Sequence, residues 1–120
     1  MSHAVSKRLL VVDDDLSLLE ALERGLSDGG LDVVAHTTFE GARNALRDER
    51  FNALLTDVRL GAFNGIQLAV VARDTYPDMR IIVFSGFDDP VLRSEAQHIG
   101  ATYLVKPVTA SDLIRLLSKA

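Results

Sequence analysis

Acidic side chains stand where two apolar segments of this chain end. Asp13–Asp15 follows the apolar run Leu9–Val12, and Asp57 closes a second apolar segment further along. Adjacent carboxylates repel one another, and each loses hydration where a buried strand ends. A chain tolerates such an arrangement mainly where a positive charge compensates it, most often a hard divalent cation. The residue types therefore predict a metal site built from oxygen ligands.

Groups that suit a phosphate stand at the ends of two later apolar segments. Ser85 precedes Gly86, so a hydroxyl lies next to a backbone amide that an anion can approach closely. Lys106 adds an ammonium point charge suited to phosphate. Together with a metal, this set fits phosphoryl transfer to a carboxylate, in which cations neutralise the phosphoryl oxygens and the carboxylate attacks in line. The predicted nucleophile is Asp57, the acid that stands apart from the others.

The elements that must position these residues are short apolar segments alternating with longer amphipathic ones. The predicted strands are Arg8–Val12, Leu31–His36, Phe51–Thr56, Arg80–Ser85 and Ala101–Val105. Helical spacing predicts a buried stripe from Leu16 to Leu26 in the first helix, and another that includes Val70 in the third. Asp15 and Thr38 are predicted N-caps. A loop containing Gly61 is expected to join the third strand to the third helix.

Regular alternation of strands and helices predicts an α/β fold with a parallel sheet between two layers of helices. We expect a three-layer, doubly wound (βα)5 domain with strand order 2-1-3-4-5. Ligands bind such sheets at the carboxyl ends of the strands, near the switch in strand order, here between strands 1 and 3. Because neighbouring strands lie about 4.8 Å apart, Asp13, Asp14 and Asp57 can converge there on one ion. Mg²⁺ suits such a site, since it keeps several waters and binds phosphate oxygens.

Composition limits the function further. The 120 residues suit one domain, 1–120, and leave no room within them for an effector domain. A net charge of −4 argues against direct binding of nucleic acid. Cysteine is absent, which excludes disulfides and thiolate metal sites. No apolar run has the length of a signal peptide core or a membrane span, so we expect a cytoplasmic protein without membrane contact.

The order of these residues resembles the receiver domain of two-component response regulators. An acidic pair after strand 1, an Asp ending strand 3, a hydroxyl after strand 4 and Lys-Pro after strand 5 all stand at matching positions, over essentially the whole chain. The resemblance implies the CheY-like form of the flavodoxin-like fold. It also implies phosphorelay signalling, in which a sensor histidine kinase or phosphotransfer protein phosphorylates Asp57. The receiver would catalyse only its own phosphorylation and dephosphorylation, and so would not be an enzyme with an external substrate.

The resemblance also implies a set of metal ligands. Asp14 would bind Mg²⁺, or Mn²⁺, directly, whereas Asp13 would act mainly through water. Asp57 and the backbone carbonyl of Arg59 would complete the protein ligands. One position departs from the family pattern, because Gly61 replaces a proline that is common four residues after the phosphorylated Asp. The loop that carries Arg59 should therefore be less restrained.

Further roles concern the phosphoryl group and the output. Ser85 and the Gly86 amide would hold the phosphoryl oxygens, and Lys106 would pair with the phosphoryl group or, before phosphorylation, with Asp57. Ser85 and Tyr103 would form a switch toward the face made by the fourth helix, the fifth strand and the fifth helix. Mixed charge on that face is compatible with a homodimer or an effector domain as partner. The Lys106–Pro107 bond is expected to be cis.

Two other functions are compatible with parts of the sequence. Asp13 and Asp15 have the Asp-x-Asp spacing of haloacid-dehalogenase-type phosphatases, which use an aspartyl nucleophile and Mg²⁺. That alternative leaves Asp57 unexplained. A pseudo-receiver that serves only as an interaction module is the third hypothesis. Neither glycine-rich nucleotide-binding pattern is present in the sequence.

Overall fold

The computed structural model describes residues 7–119, which form five helices and seven strands. The strands are β1 (Arg8–Val12), β2 (Asp32–His36), β3 (Ala53–Asp57), β4 (Arg59–Leu60), β5 (Phe63–Asn64), β6 (Arg80–Ser85) and β7 (Thr102–Val105). The helices are α1 (Leu16–Asp28), α2 (Phe39–Asp48), α3 (Gly65–Thr75), α4 (Pro90–His98) and α5 (Ala110–Leu117). None of these helices is both long and apolar enough to cross a membrane.

The main sheet has five parallel strands in the order β2-β1-β3-β6-β7. Counted along the chain without the short β4 and β5, this is the predicted order 2-1-3-4-5, so the predicted doubly wound α/β fold is confirmed. The predicted first and fourth strands match the observed bounds, and the others begin one or two residues later than predicted. All five strands end at the same edge of the sheet, which is the edge where the acidic residues follow β1 and end β3.

Each face of the sheet carries its own apolar core, because successive side chains of a strand point to opposite faces. In β1, Leu9 and Val11 pack with α1 and α5, whereas Leu10 and Val12 pack with α2, α3 and α4. All four side chains are fully buried. Strands buried on both faces read as continuous apolar runs, which explains why the sequence showed no alternation there.

Two parts of the predicted core are wrong at single residues. Leu16 is 57% exposed, since it is the first residue of α1 and lies above the edge of the sheet. Val70 is 47% exposed on the outer side of α3. The helical spacing was correct in both helices. The two residues are exposed because Leu16 lies at a helix end and Val70 lies at the margin of the apolar stripe. The predicted N-caps are confirmed, because Asp15 accepts from the Leu18 amide and Thr38 accepts from the Gly41 amide.

The segment predicted as a loop between β3 and α3 contains a small antiparallel hairpin. Arg59 pairs with Asn64, and Leu60 pairs with Phe63. Gly61 adopts a φ of +63° at its tip, a conformation that glycine reaches without the steric penalty other residues have. The Asn64 side chain then caps α3 in a capping box with Gln67. The hairpin therefore leads directly from the end of β3 into α3.

Candidate functional site

Three carboxylates meet at the carboxyl edge of the sheet. Asp13 directly follows β1, Asp14 comes next, and Asp57 is the last residue of β3, the neighbour of β1. One oxygen from each carboxylate lies within 4.8 Å of the other two. Asp13 is fully buried and Asp57 is 5% exposed, whereas Asp14 faces solvent. The convergence that the strand order predicted is therefore present.

The ammonium group of Lys106 compensates part of this negative charge. The Lys106 Nζ lies 3.2 Å from Asp13 Oδ2 and 3.4 Å from Asp57 Oδ1. Lys106 follows β7, at the far side of the site, and its Nζ passes 5.7 Å from the centre of the Phe84 ring. The sequence predicted the contact with Asp57 but not the hydrogen bond to Asp13. One lysine thus bridges two of the three acids.

Burial and mutual repulsion disturb the protonation of these groups. Burial raises the pKa of Asp57 to about 6, and the neighbouring charge of Asp13 adds to the effect. Burial also raises the pKa of Asp13. The Asp15 amide and Lys106 favour the charged form of Asp13 and oppose this rise, but they do not outweigh it. Burial alone would lower the pKa of Lys106, but attraction to Asp57 and Asp13 outweighs it and raises that pKa. The site is therefore short of positive charge, as expected of a cation site.

The backbone of Asp57 is fixed by close packing against the start of α3. The Gly65 amide donates to the Val58 carbonyl at 2.7 Å, and the Thr56 hydroxyl donates to the Asp57 carbonyl at 2.9 Å. A Cβ added to Gly65 would lie 2.0 Å from the Asp57 carbonyl oxygen. Only a residue without a side chain fits at this position. The absence of a side chain at Gly65 therefore allows α3 to begin directly against the end of β3.

The hydroxyl and the amide predicted for phosphoryl binding flank the same edge. Ser85 ends β6 and is buried, and its Oγ accepts from the Phe87 amide at 3.2 Å. A Cβ at Gly86 would meet no atom within 4 Å, so the space above its backbone is open. The Lys106 amide donates to the Ser85 carbonyl at 2.7 Å, which ties the ends of β6 and β7 together. Ser85 and Gly86 directly follow Phe84, the residue that pairs with Asp57 in the sheet, so they lie at the same edge as Asp57.

The remaining predicted site residues lie just beyond this group. Tyr103 is buried, its hydroxyl donates to the Phe87 carbonyl at 2.8 Å, and the Arg93 guanidinium lies 4.8 Å from its ring centre. Arg59 is two residues after Asp57 in β4, with its guanidinium 5.8 Å from the Phe87 ring centre. The Lys106–Pro107 peptide bond is cis, as expected.

Two contacts at the site were not predicted from sequence. Asp13 Oδ1 accepts from the Asp15 amide at 2.9 Å, so one of its oxygens is used by the turn into α1. Asp14 Oδ2 accepts from the Gly61 amide at 3.4 Å, which connects the hairpin tip to the acidic cluster. Gly61 and Asp14 are 47 residues apart in the sequence, so no local spacing indicated the second contact. The first contact leaves the other oxygen of Asp13, Oδ2, to accept from Lys106.

The donor set fits a hard divalent cation. Carboxylate oxygens on two neighbouring strand ends are the ligands that such ions prefer, and three acids sharing one lysine leave uncompensated negative charge. The exposed Asp14 gives a route from solvent, while buried Asp13 and Asp57 hold fixed positions. The cluster of Asp13, Asp14 and Asp57 can hold a metal ion.

Comparisons with known proteins agree with this geometry. The family model described as "Response regulator receiver domain" matches residues 9–118. FleR, a response regulator protein of Pseudomonas aeruginosa, is 33% identical over 116 residues, which is 96% of this chain and 24% of that protein. CpdR, a response regulator receiver protein of Brucella abortus, is 31% identical over 94% of this chain and 95% of its own. The chain thus spans about a quarter of one relative and nearly all of the other.

A solved structure supports the same assignment. A Burkholderia pseudomallei response regulator, crystallised with a phosphorylated aspartic acid, calcium ion and citrate, superposes with a TM-score of 0.88. It is 30% identical, over 95% of this chain and 68% of that one. The comparisons do not support the haloacid-dehalogenase-type alternative. By sequence, fold and site, this chain belongs to the response regulator receiver domain family, the phosphoacceptor domains of two-component signalling.

Proposed function

We propose that Asp57 is the phosphoacceptor and that its donor is a phosphohistidine of a sensor histidine kinase or phosphotransfer protein. The observation that carries this proposal is the shared lysine. Asp57 ends β3 and contacts Lys106, and the carboxylates of Asp13 and Asp14 lie close enough to hold a cation with it. A carboxylate held between two sources of positive charge can attack a phosphoryl group, because the repulsion between anions is removed.

In the proposed transfer, an Asp57 oxygen attacks phosphorus in line with the phosphorus–nitrogen bond of the donor. A phosphorus–oxygen bond forms, the phosphorus–nitrogen bond breaks, and the imidazole leaves with the electron pair. Lys106 would release Asp57 and pair with a phosphoryl oxygen, while its contact with Asp13 keeps the ammonium in place. Ser85 and the open Gly86 amide would donate to the other oxygens. Hydrolysis by water would later return Asp57 and inorganic phosphate, and in this proposal the receiver catalyses only its own phosphorylation and dephosphorylation.

We assign the metal as Mg²⁺, with Mn²⁺ as a substitute. Asp13, Asp14, Asp57 and the backbone carbonyl of Arg59 would hold it, Asp13 mainly through water. When bound, the ion supplies positive charge that offsets the charge of the phosphoryl oxygens. The solved structure of the Burkholderia pseudomallei relative contains both a phosphorylated aspartic acid and a calcium ion, which supports a role for a divalent cation.

The labelled residue tests the proposal directly. Incubation with Mg²⁺ and acetyl phosphate should add one phosphoryl group, and mass spectrometry of peptides should place it on Asp57. EDTA should suppress the label, since the carboxylates would then repel the donor. A label on Asp13, or one that forms equally well in EDTA, would contradict the assignment of Asp57 as a metal-assisted acceptor.

Metal binding should also stabilise the fold. At a Mg²⁺ concentration ten times its dissociation constant, mass action raises the free energy of unfolding by about 1.4 kcal/mol. Asp14→Asn should remove most of this increase, because it takes away the exposed carboxylate of the cluster. Thermal unfolding with and without Mg²⁺ measures the effect. The control is Asp28→Asn, an exposed acid at the end of α1, which should keep the full Mg²⁺ response.

The proposal extends to output and location. A phosphoryl group on Asp57 would attract the Ser85 hydroxyl and so shift the loop after β6. Tyr103 would respond to this shift, because its hydroxyl donates to the Phe87 carbonyl in that loop. The affected face, formed by α4, β7 and α5, would contact an effector domain or a second copy, rather than nucleic acid or a membrane. We treat residues 1–120 as one receiver domain, although residues 1–6 and 120 lie outside the described structure. The proposed location is the cytoplasm.

A further inference from the structure

The β4–β5 hairpin carries one group that is proposed to bind the metal and one that contacts a carboxylate of the cluster, but its own strand pairing is short. These groups are the Arg59 carbonyl, a ligand under the proposed function, and the Gly61 amide, which bonds to Asp14 at 3.4 Å. The hairpin has only two residue pairs, and isolated two-stranded hairpins are marginal in water. Gly61 at its tip adds conformational freedom. Leu60 is the one residue of this hairpin with a deeply buried apolar side chain.

An aromatic pair attaches the hairpin to the rest of the domain. The Phe63 ring stacks on the Phe39 ring with centroids 4.6 Å apart and planes 14° apart. Phe39 is the first residue of α2 and belongs to the apolar core, with the Arg43 guanidinium 5.9 Å from its ring centre. Phe63 itself is 52% exposed, so little of its surface contributes to the core. The aromatic pair therefore attaches the short β4–β5 hairpin to a residue of the apolar core.

We propose that Phe63 is a positioning residue for the metal site, because its stacking on Phe39 fixes the hairpin and so places the Arg59 carbonyl and the Gly61 amide against the carboxylates. The inference rests on the proposed function for the metal ligands. Without the stacking, the hairpin would lose conformational entropy when the ion binds, and this loss would weaken binding. With the stacking, the hairpin is already ordered in the folded, metal-free protein. A proline at position 61 could not supply this restraint, because Gly61 has a φ of +63° and proline is fixed at about −65°.

The test is the affinity of the full chain for Mg²⁺, measured by calorimetry. Phe63→Ala should weaken binding roughly three- to tenfold, the factor expected for losing one aromatic pair. Phe63→Tyr keeps a ring that can stack and should bind as the wild type does. Val70→Ala, which trims an apolar side chain of similar exposure on the outer side of α3, should leave the affinity unchanged. Unfolding in EDTA should show Phe63→Ala and Val70→Ala to be about equally stable.

A second readout separates this inference from the proposed function. In the metal-free protein, the backbone ¹⁵N order parameter of Gly61 should fall from about 0.85 toward about 0.6 in Phe63→Ala and not in Phe63→Tyr. This change should occur whether or not the wild type binds Mg²⁺. Unchanged Gly61 order in Phe63→Ala would overturn the anchoring role. Lower Gly61 order with unchanged Mg²⁺ affinity would overturn the role in metal binding, whereas a wild type that ignores Mg²⁺ would overturn the metal assignment itself.

Discussion

Asp57→Asn is expected to abolish phosphorylation by acetyl phosphate and, at the same time, to make the metal-free protein more stable at pH 7 by about 1–2 kcal/mol. The loss of labelling follows because an amide is not a nucleophile for phosphorus. The gain in stability follows because the substitution keeps the side-chain volume and removes a charge that burial and Asp13 both disfavour. A substitution that removes function while raising stability is typical of a site whose groups repel one another until a ligand binds.

The raised pKa of Asp57 determines how the stability difference between wild type and Asp57→Asn depends on pH. Asp57 has a pKa of about 6 in the folded protein against an ordinary value of 3.8, so the folded state binds the proton more tightly. The penalty for ionised Asp57 is complete above pH 6 and is relieved as the pH falls from about 6 toward 3.8. The difference between the pKa of Asp57 in the folded protein, about 6, and its ordinary value of 3.8 sets an upper limit of about 3 kcal/mol, and loss of the Lys106 contact reduces the gain.

Urea unfolding of both proteins in EDTA, at several pH values between 7 and 4.5, measures the difference. The advantage of the Asn variant should shrink steadily as the pH falls. Asp28→Asn, which changes an exposed acid, should show no such trend. At a Mg²⁺ concentration a hundred times the dissociation constant of the wild type, binding adds about 2.7 kcal/mol to its free energy of unfolding, so the order should reverse, since only the wild type retains all three carboxylates. A less stable Asn variant at pH 7 in EDTA, or an advantage that grows at low pH, would contradict the repulsion that we infer.

The sequence was sufficient for the parts of the site that stand at strand ends. Short apolar runs closed by polar residues marked where the strands stop, and the topology rule for parallel sheets then brought Asp13, Asp14 and Asp57 together. These inferences needed only the backbone. Because parallel strands all have their carboxyl ends at one edge of the sheet, a residue that ends its strand must lie at the edge where the site forms.

What the sequence could not give depends on side-chain reach and on weak local structure. Lys106 contacts Asp13 across the ends of two intervening strands, which its long stem allows but no spacing rule specifies. The hairpin has strands of two residues, too short for any alternation to appear. The stacking of Phe63 on Phe39 joins residues whose separation carries no periodic signal. These contacts concern how firmly the residues at the edge of the sheet are held, whereas the sequence predicted which groups meet there.

Gly65→Ala is expected to be the most damaging single-methyl change near the site. The added Cβ would lie 2.0 Å from the Asp57 carbonyl oxygen, 2.9 Å from its carbonyl carbon and 3.0 Å from Thr56 Oγ1. Two of these atoms belong to the backbone of a central strand, so no side-chain rotation can relieve the clash. Either α3 moves away from β3 and loses the bond from the Gly65 amide to Val58, or the end of β3 tilts. We expect a loss of about 3 kcal/mol of unfolding free energy, the upper range for overpacking.

The same clash should disturb the chemistry beyond the loss of stability. Asp57 ends the strand that would tilt, and a displacement of about 1 Å in a reacting group can cost about 100-fold in rate. The rate of labelling by acetyl phosphate, measured at a temperature where the variant is folded, should therefore fall steeply. Gly86→Ala is the matched control for stability, because its Cβ would meet no atom within 4 Å. If Gly65→Ala unfolded at the same urea concentration as Gly86→Ala, the close approach of α3 to Asp57 could not be what fixes the acceptor.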